Sequence, residues 1–527
     1  MTNDPASIAA ALRSLAVYAV CAVLAITIGV LMTNPLTYSA LGFAAVVCVI
    51  LFLPVLLKYH HPLMILSWTS PLVAFFVKGS PSFFLVMIAV SLAISVTERT
   101  LNQPRFINVP QVAWPLLCLI GVVLITAKMT GGIGLKAFGS DVYGGKKYVF
   151  LIVGIVGYFA ITARPIPSQK ANLYIALFFL GGTLNFIKDL FPILPGFAHP
   201  LFWLIPPTYF GTSDVELGTT RLTGTAWAAT AVINAMVARY GMRGIFLGDK
   251  LWRPIVFFLS LVLIFFGGFR SALVLTGATV LLQFFLEGMH RTKLMPFFIL
   301  FVIAGTLALI PLGAKLPYTF QRTLAFVPES IVHLDSGARM EAQGSLDWRL
   351  DMWQALLPQI PKHLLLGKGY AITMEDWASM GQDTAIQSVD AGSQALALSS
   401  DYHSGPLSVI LPFGIWGAIA FLWLLAASIW VLYNNYRYGD PALKSANTFL
   451  FTYYVVTTLD FFFIFGDLAS GMGTFAGILG LSVALNRGVR RAPVEPARNI
   501  PFSMRFANVR SRPKAAFRPP GSSPRPI

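Results

Sequence analysis

Residues 345–370 read SLDWRLDMWQALLPQIPKHLLLGKGY, and residues 399–406 read SSDYHSGP. Both lie in a polar interval, 313–404, that interrupts an otherwise apolar chain. Across 527 residues the hydrophobic share is 56%, the charged share 11% and the mean hydropathy +0.71. A soluble globular chain carries about 25% charged residues, so this balance points to a membrane. Fourteen apolar runs of roughly 16–28 residues flank the interval, each long enough to cross ~30 Å of hydrocarbon as a helix. The alternation of a membrane β-barrel strand is missing. The expected fold is all-α and polytopic, with about fourteen transmembrane helices, or twelve, and one long helical extracytoplasmic loop.

About eleven runs fall in 1–312 and three in 405–486, with the loop 313–404 between them and a basic tail, 487–527, behind. The second and third runs are drawn at 38–57 and 62–77, parted by Lys58, His60 and His61. Lys and Arg resist translocation, and alternate connections collect them: Arg13; Lys58; Arg99 and Arg105; Arg164 and Lys170; Arg239, Arg243, Lys250 and Arg253; Arg291 and Lys293; Arg437 and Lys444; then the tail. With both termini cytoplasmic these share one side, and Arg221, Arg270, Arg349 and His403 come out on the other. The connection after the fifth run breaks the rule, because Lys128, Lys136, Lys146 and Lys147 then face outward.

The net charge of +16 does not imply nucleic acid as a partner, because the tail concentrates it: from Arg487 onward there are ten Lys/Arg and a single acid, Glu495. That Pro/Ser/Arg-rich stretch has little to bury and is expected to be disordered, lying against anionic membrane lipid. Cys21, Cys48 and Cys118 sit in apolar runs, so no disulfide framework is expected. The first run is kept as an anchor. Inside the runs the only charged residue is Asp460, expected near an outer helix end as a partner for Arg or Lys. An ion-coupled transporter would carry ionisable groups at mid-membrane. No spacing of His and carboxylates resembles a metal site, and GKGY is read as a turn rather than a phosphate loop. No metal or cofactor is expected.

Within the loop, Leu346, Leu350, Trp353 and Leu357 recur at helical spacing, with Arg349 about 60° from the centre of that stripe at ~100° per residue. Arg349 then sits at the water line of a surface helix, or pairs with a neighbouring acid in a solvated one; spacing admits both. The outer segment 188–220, with Pro192, Pro195, Pro200, Pro206 and Pro207, is not expected to be continuous helix. Guanidinium groups bind phosphate oxygens in bidentate fashion and stay charged, and a histidine suits proton removal from a hydroxyl. Together they fit substitution at a sugar carbon with a lipid pyrophosphate leaving, the arginines stabilising the departing charge.

RLTGT (221–225), GGFRSAL (267–273), WRLDMW with LLLGKGY (348–353 and 364–370) and YHSGPLSVILPFGIWG (402–417) follow one another in that order. In order, spacing and membrane placement they resemble the O-antigen ligase and polymerase superfamily. The resemblance implies a multi-pass glycosyltransferase of the bacterial inner membrane. Such an enzyme takes a glycan from a polyprenyl (undecaprenyl) diphosphate donor on the periplasmic face and passes it to a hydroxyl of a glycan or lipid A core acceptor, without metal and with inversion. The family's span-opening arginine matches Arg270, its loop arginine Arg349, and its histidine His403, the candidate general base or acceptor-orienting group. Arg221 matches a less constant arginine, and Lys146, Lys147 and Tyr402 are expected as further substrate contacts. Fourteen spans and a basic tail depart from the twelve-span ligases, which keeps the polymerase or exopolysaccharide branch open. The rival class is a lipid-linked oligosaccharide flippase, which predicts charged residues within the helices and no large outer loop.

Overall fold

The computed structural model describes residues 5–31, 33, 38–102, 106–134, 144–207, 221–372, 400 and 402–492. The chain divides into a unit of Met1–Arg490 and a second of Arg491–Ile527; the tail expected to be disordered lies almost wholly outside the described residues. No strand occurs among the described residues, only an isolated bridge between Val73 and Ser82.

The first helices are α1 (Pro5–Leu31), α2 (Tyr38–Ser67), α3 (Phe83–Asn102), α4 (Pro110–Thr130), α5 (Gly145–Thr162) and α6 (Ala171–Leu180). A 3-10 stretch, Gly181–Leu190, prolongs α6. There follow α7 (Thr223–Phe246), α8 (Trp252–Phe265), α9 (Arg270–Leu286) and α10 (Leu294–Leu312). The polar loop folds as α11 (Tyr318–Leu324) and α12 (Ser336–Leu356), and α13 (Gly405–Tyr438), α14 (Lys444–Phe463) and α15 (Leu468–Asn486) complete the bundle. Among the described residues, eight helical segments are long and apolar enough to cross a membrane, and Val17–Val30, α8 and α9 are shorter apolar helices. This is an all-α polytopic membrane protein.

One break drawn from the sequence is absent. α2 runs unbroken through Lys58, His60 and His61, and residues 68–82 continue as irregular chain instead of a separate third helix. The polar side chains do not end the helix because neighbours satisfy them. His60 Nδ1 hydrogen-bonds with Ser91 Oγ at 2.8 Å, and His61 Nε2 with the Ile161 carbonyl at 2.9 Å. Pro54 and Pro62 lie inside α2, as membrane helices tolerate when surrounding groups take over the freed backbone partners.

The packing centre is the contact of α5 with α15. α15 is buried along most of its length, whereas only 6% of the α10 window is enclosed by protein. Small residues let helices approach closely in a bilayer, where the hydrophobic effect does not drive them together. Gly154 faces the backbone of Gly473, and the Trp68 ring lies against both Gly157 and Gly477. Trp68 Nε1 donates to the Gly473 carbonyl at 3.0 Å, so one indole bolts α2 to α15.

The polar loop is fastened to the bundle by a break in α13. Pro412 lies inside this helix, and Gly414 has non-helical angles (φ 62°, ψ −160°). The freed carbonyls of Leu411 and Pro412 accept from the Lys368 and Gly369 amides at 2.7 and 3.0 Å, and Ile415 N donates to the Leu364 carbonyl at 2.7 Å. Tyr370 N donates to Tyr148 Oη at 2.8 Å, and Thr126 Oγ1 donates to the Leu366 carbonyl at 3.2 Å. GKGY therefore forms a strap across α4, α5 and α13 where a simple turn was expected.

A Cβ on Gly477 would collide with the Trp68 indole, whereas one on Gly121 meets nothing within 4 Å. Gly477→Ala is expected to destabilise the protein by roughly 1–3 kcal/mol through overpacking, and Gly121→Ala to stabilise it by up to ~1 kcal/mol through helix propensity. Melting temperatures of the purified proteins in detergent check the pair. Equal behaviour of the two would refute the packing assignment.

Candidate functional site

A cavity of about 410 Å³ opens where α7, α9, α12 and α14 meet the segment before α13. Arg349, His403 and Asp460 line it, together with Phe269, Trp227 and Tyr453. Three residues remote in sequence, two basic and one acidic, thus share one space.

Arg349 reaches the cavity because of the phase of α12. Asp335 caps this helix, accepting from Gly337 N at 2.8 Å. Ala338, Ala342, Met352 and Leu356 are buried, and Arg349 falls on the same face; Leu346, Leu350 and Leu357 of the expected stripe are exposed. Trp353 of that stripe is partly buried against Met352 and Leu356, and the arginine points into the bundle. Of the two readings left open by spacing, pairing with an acid finds no support: no ion pair forms at Arg349 among the described residues. Burial, and then the charge of neighbouring Arg270, push the Arg349 guanidinium below its ordinary value. Its Nε is buried without a hydrogen-bond partner among the described residues, a costly state for a charged group.

Arg270 opens α9 after a turn at Gly267 and Gly268, where Gly268 takes the left-handed backbone (φ 67°) that glycine adopts without penalty. Its neighbours Phe269 and Ser271 both line the cavity, so Arg270 stands at the rim, with Nη1 donating to the Ala342 carbonyl at 3.3 Å. Arg221 and Arg322 flank the same turn: their Cδ atoms lie 3.7 and 3.6 Å from where a Cβ of Gly268 would stand. Arg322 pairs with Glu341 at 2.7 Å. Burial first, then the carboxylates of Glu341 and Asp335, raise the Tyr318 hydroxyl above its ordinary value, and Arg221 acts against them. Three arginines and Glu341 thus gather around one turn, with Arg349 close enough to Arg270 to feel its charge. Arg322 was not singled out in the sequence, since it sits in a short loop helix without a motif; the only signal was a cation in the polar interval.

His403 has a left-handed backbone (φ 47°), as does Ser400 (φ 59°). Non-glycine residues adopt this region at a cost, typically where surrounding structure enforces it. Two bonds do so here: Trp353 Nε1 donates to the Tyr402 carbonyl at 3.0 Å, and Lys147 Nζ to the Ser400 carbonyl at 2.8 Å. The imidazole stands edge to face with Trp348 and Phe465, centroids 5.2 and 4.8 Å away.

The other expected contacts lie elsewhere. The Tyr402 ring is buried among Met352, Leu356, Leu407 and Leu411. Lys147 stands 3.9 Å from Asp467, and Lys146 lies over the Phe150 ring. None of these three lines the cavity. Asp460, expected as a partner for an outer cation, forms no ion pair among the described residues; its Oδ1 is buried without a hydrogen-bond partner there.

A search of curated proteins finds no match to this chain. A family model described as O-Antigen ligase matches residues 255–422, less than half of the chain. The matched stretch holds Arg270, Arg349 and His403, and leaves Arg221 and Asp460 outside. The matched stretch carries the polar loop and most of the charged cavity, and over that stretch the chain is similar to the O-antigen ligase family.

Proposed function

We propose that this protein is a membrane glycosyltransferase of the O-antigen ligase and polymerase type, moving a glycan from a polyprenyl diphosphate donor to a hydroxyl acceptor on the periplasmic face of the bacterial inner membrane. The observation that carries this reading is the cavity shared by Arg349, His403 and Asp460, with Arg270 at its rim. Two guanidinium groups that repel each other, one with an unused buried Nε, gain most from a dianionic ligand, and a diphosphate supplies paired oxygens for both.

In the reaction, an acceptor hydroxyl attacks the anomeric carbon. The new C–O bond forms as the bond from that carbon to the diphosphate oxygen breaks, and the electron pair leaves with the lipid diphosphate. His403 takes the hydroxyl proton, Asp460 stabilises the resulting imidazolium, and Arg349 and Arg270 hold the developing charge. Arg221 and Arg322 add positive potential from behind the Gly268 turn. A single displacement of this kind inverts the anomeric centre. A second cavity of about 350 Å³, lined largely by Phe, Leu and Met side chains of α7 to α10, shares Thr276 with the charged one. It supports a donor whose diphosphate is esterified to a hydrocarbon chain.

The purified protein, given lipid-linked donor and acceptor together in detergent, is expected to form the glycoside; a flippase would add nothing there. His403→Ala is expected to lower kcat by ~10²–10⁴-fold, the usual contribution of a general base. Arg349→Ala is expected to lose ~10²–10³-fold in kcat and to weaken donor binding, and Arg349→Lys to restore little, because an ammonium lacks the planar fork. Normal transfer by both alanine variants would remove this site. Trp353→Phe keeps an aromatic ring but loses the bond to the Tyr402 carbonyl. It is expected to reduce kcat by up to ~10²-fold through misplacement of His403, with KM nearly unchanged; a parallel rise in KM would count against a positioning role. Product analysis of a deletion strain separates the branches: loss of all capped lipid indicates a ligase, and loss of long chains alone a polymerase.

A further inference from the structure

A third cavity, of about 260 Å³, adjoins the charged one, and Trp227, Thr230, Asn234 and Tyr453 line both. Its chemistry is different. Among the described residues no Asp, Glu, Lys, Arg or His lines it; beyond the shared wall it offers the amide of Asn185, the hydroxyls of Ser470 and Thr474, and the indole of Trp68. Asn185 lies against Gly224 in the first turn of α7, three residues after Arg221. Ser470 belongs to the first turn of α15, is solvent-exposed, and donates its amide to the capping Asp467. Trp227 is 52% exposed. The chamber therefore belongs to the same end of the bundle as the arginines.

Its walls are rigid. Trp68 is fixed through Nε1 to Gly473 and stacks on Phe178 at 5.9 Å, while Tyr453 stacks on Phe449 at 5.5 Å. Asn185 donates to the Gly182 carbonyl at 2.8 Å, which uses only one of the four hydrogen bonds its amide can make. A lipid chain fits such walls poorly, since each amide and hydroxyl it covered would lose its aqueous partners. The neighbouring apolar cavity, lined by Phe246, Phe257 and Phe298 among others, is the better place for a hydrocarbon. Flat indole and phenol faces suit the C–H face of a pyranose, and neutral amide and hydroxyl groups suit its ring hydroxyls without demanding a charge. The volume is just below the ~300–1,000 Å³ of pockets for drug-sized ligands, which suits one sugar ring and not a chain of them.

We infer that this chamber is a binding subsite for a single uncharged sugar ring, held beside the bond handled in the charged cavity. The identity of that ring, as part of the donor glycan or of the acceptor, rests on the proposed glycosyltransferase reading; the binding of a neutral sugar does not.

The test uses the full chain in detergent and saturation-transfer NMR with free glucose, galactose, rhamnose and N-acetylglucosamine as probes. At least one is expected to receive saturation from the wild-type protein. That signal is expected to fall at least tenfold in Thr474→Trp, which fills the chamber, to weaken in Asn185→Leu and Thr474→Val, and to persist in Arg349→Ala. Melting temperatures screen each variant for folding, and Thr474→Val serves where the tryptophan is not tolerated. Absence of any signal with all four sugars, or equal signals in wild type, Thr474→Val and Asn185→Leu, overturns the subsite. In the transfer assay, Thr474→Val is expected to raise the KM of one substrate only: of the donor if the ring is the donor's, of the acceptor if it is the acceptor's. Sugar binding without transfer by any preparation would overturn the enzyme and leave the subsite standing. Transfer with unaltered KM values in the chamber variants would do the reverse.

Discussion

Backbone carbonyls within a membrane bundle must find partners, and in α13 this requirement decides where the polar loop goes. Gly414 leaves helical geometry and the Ile415 amide turns to the Leu364 carbonyl, so the carbonyls of Leu411 and Pro412 are released from the helical ladder. The amides of Lys368 and Gly369 take them up, and the strap so formed is tied again to Tyr148 and Thr126. With residues 364–370 held at one end and the start of α13 at the other, α12 lies over the bundle with Met352 and Leu356 packed on Leu407 and Leu411. Only in that seat does Arg349 enter the cavity.

The electrostatic arrangement follows from the same seat. Glu341, on α12, engages Arg322 from α11, and the Ala342 carbonyl, one residue on, engages Arg270. Arg349, two turns further along, receives neither. Arg221, Arg270, Arg322 and Arg349 outnumber the nearby carboxylates of Glu341, Asp335 and Asp460, so the site retains positive potential in a partly desolvated place where charge acts strongly. That potential is what the diphosphate donor of the proposed function calls for, since a carboxylate satisfies one arginine whereas a diphosphate spans two.

Much of this was legible in the sequence, for identifiable reasons. Hydropathy and run length revealed the all-α membrane fold because bilayer thickness is a hard constraint on helix length. The order of RLTGT, GGFRSAL, WRLDMW and YHSGP singled out Arg270, Arg349 and His403, of which the fold gathers the last two into one cavity with the first at its edge. What escaped was whatever depended on tertiary partners. The histidines at 60 and 61 read as a loop, yet Ser91 and the Ile161 carbonyl let α2 continue. GKGY read as a turn because the break that receives it lies about 45 residues later. The Leu346 and Leu350 stripe was found, but not that the adjoining face, with Ala338, Ala342, Arg349, Met352 and Leu356, bears on the bundle. Asp460 was noticed as the sole charge in a run; no local pattern could say that it shares a cavity with Arg349 and His403.

The backbone at His403 ties these strands together. Left-handed geometry at Ser400 and again at His403 is a recurring cost of order 1–3 kcal/mol for each residue, and a free loop would relax it. It persists because Trp353 and Lys147, from α12 and α5, hold the Tyr402 and Ser400 carbonyls, while Trp348 and Phe465 pack on the His403 ring. The same helix, α12, supplies Arg349, Trp348 and Trp353. One rigid element therefore carries Arg349 and two of the contacts that seat His403, so the two side chains are placed relative to each other largely through α12. For the transfer reaction proposed above, such prior orientation is the condition under which fixed charges and dipoles lower a barrier most.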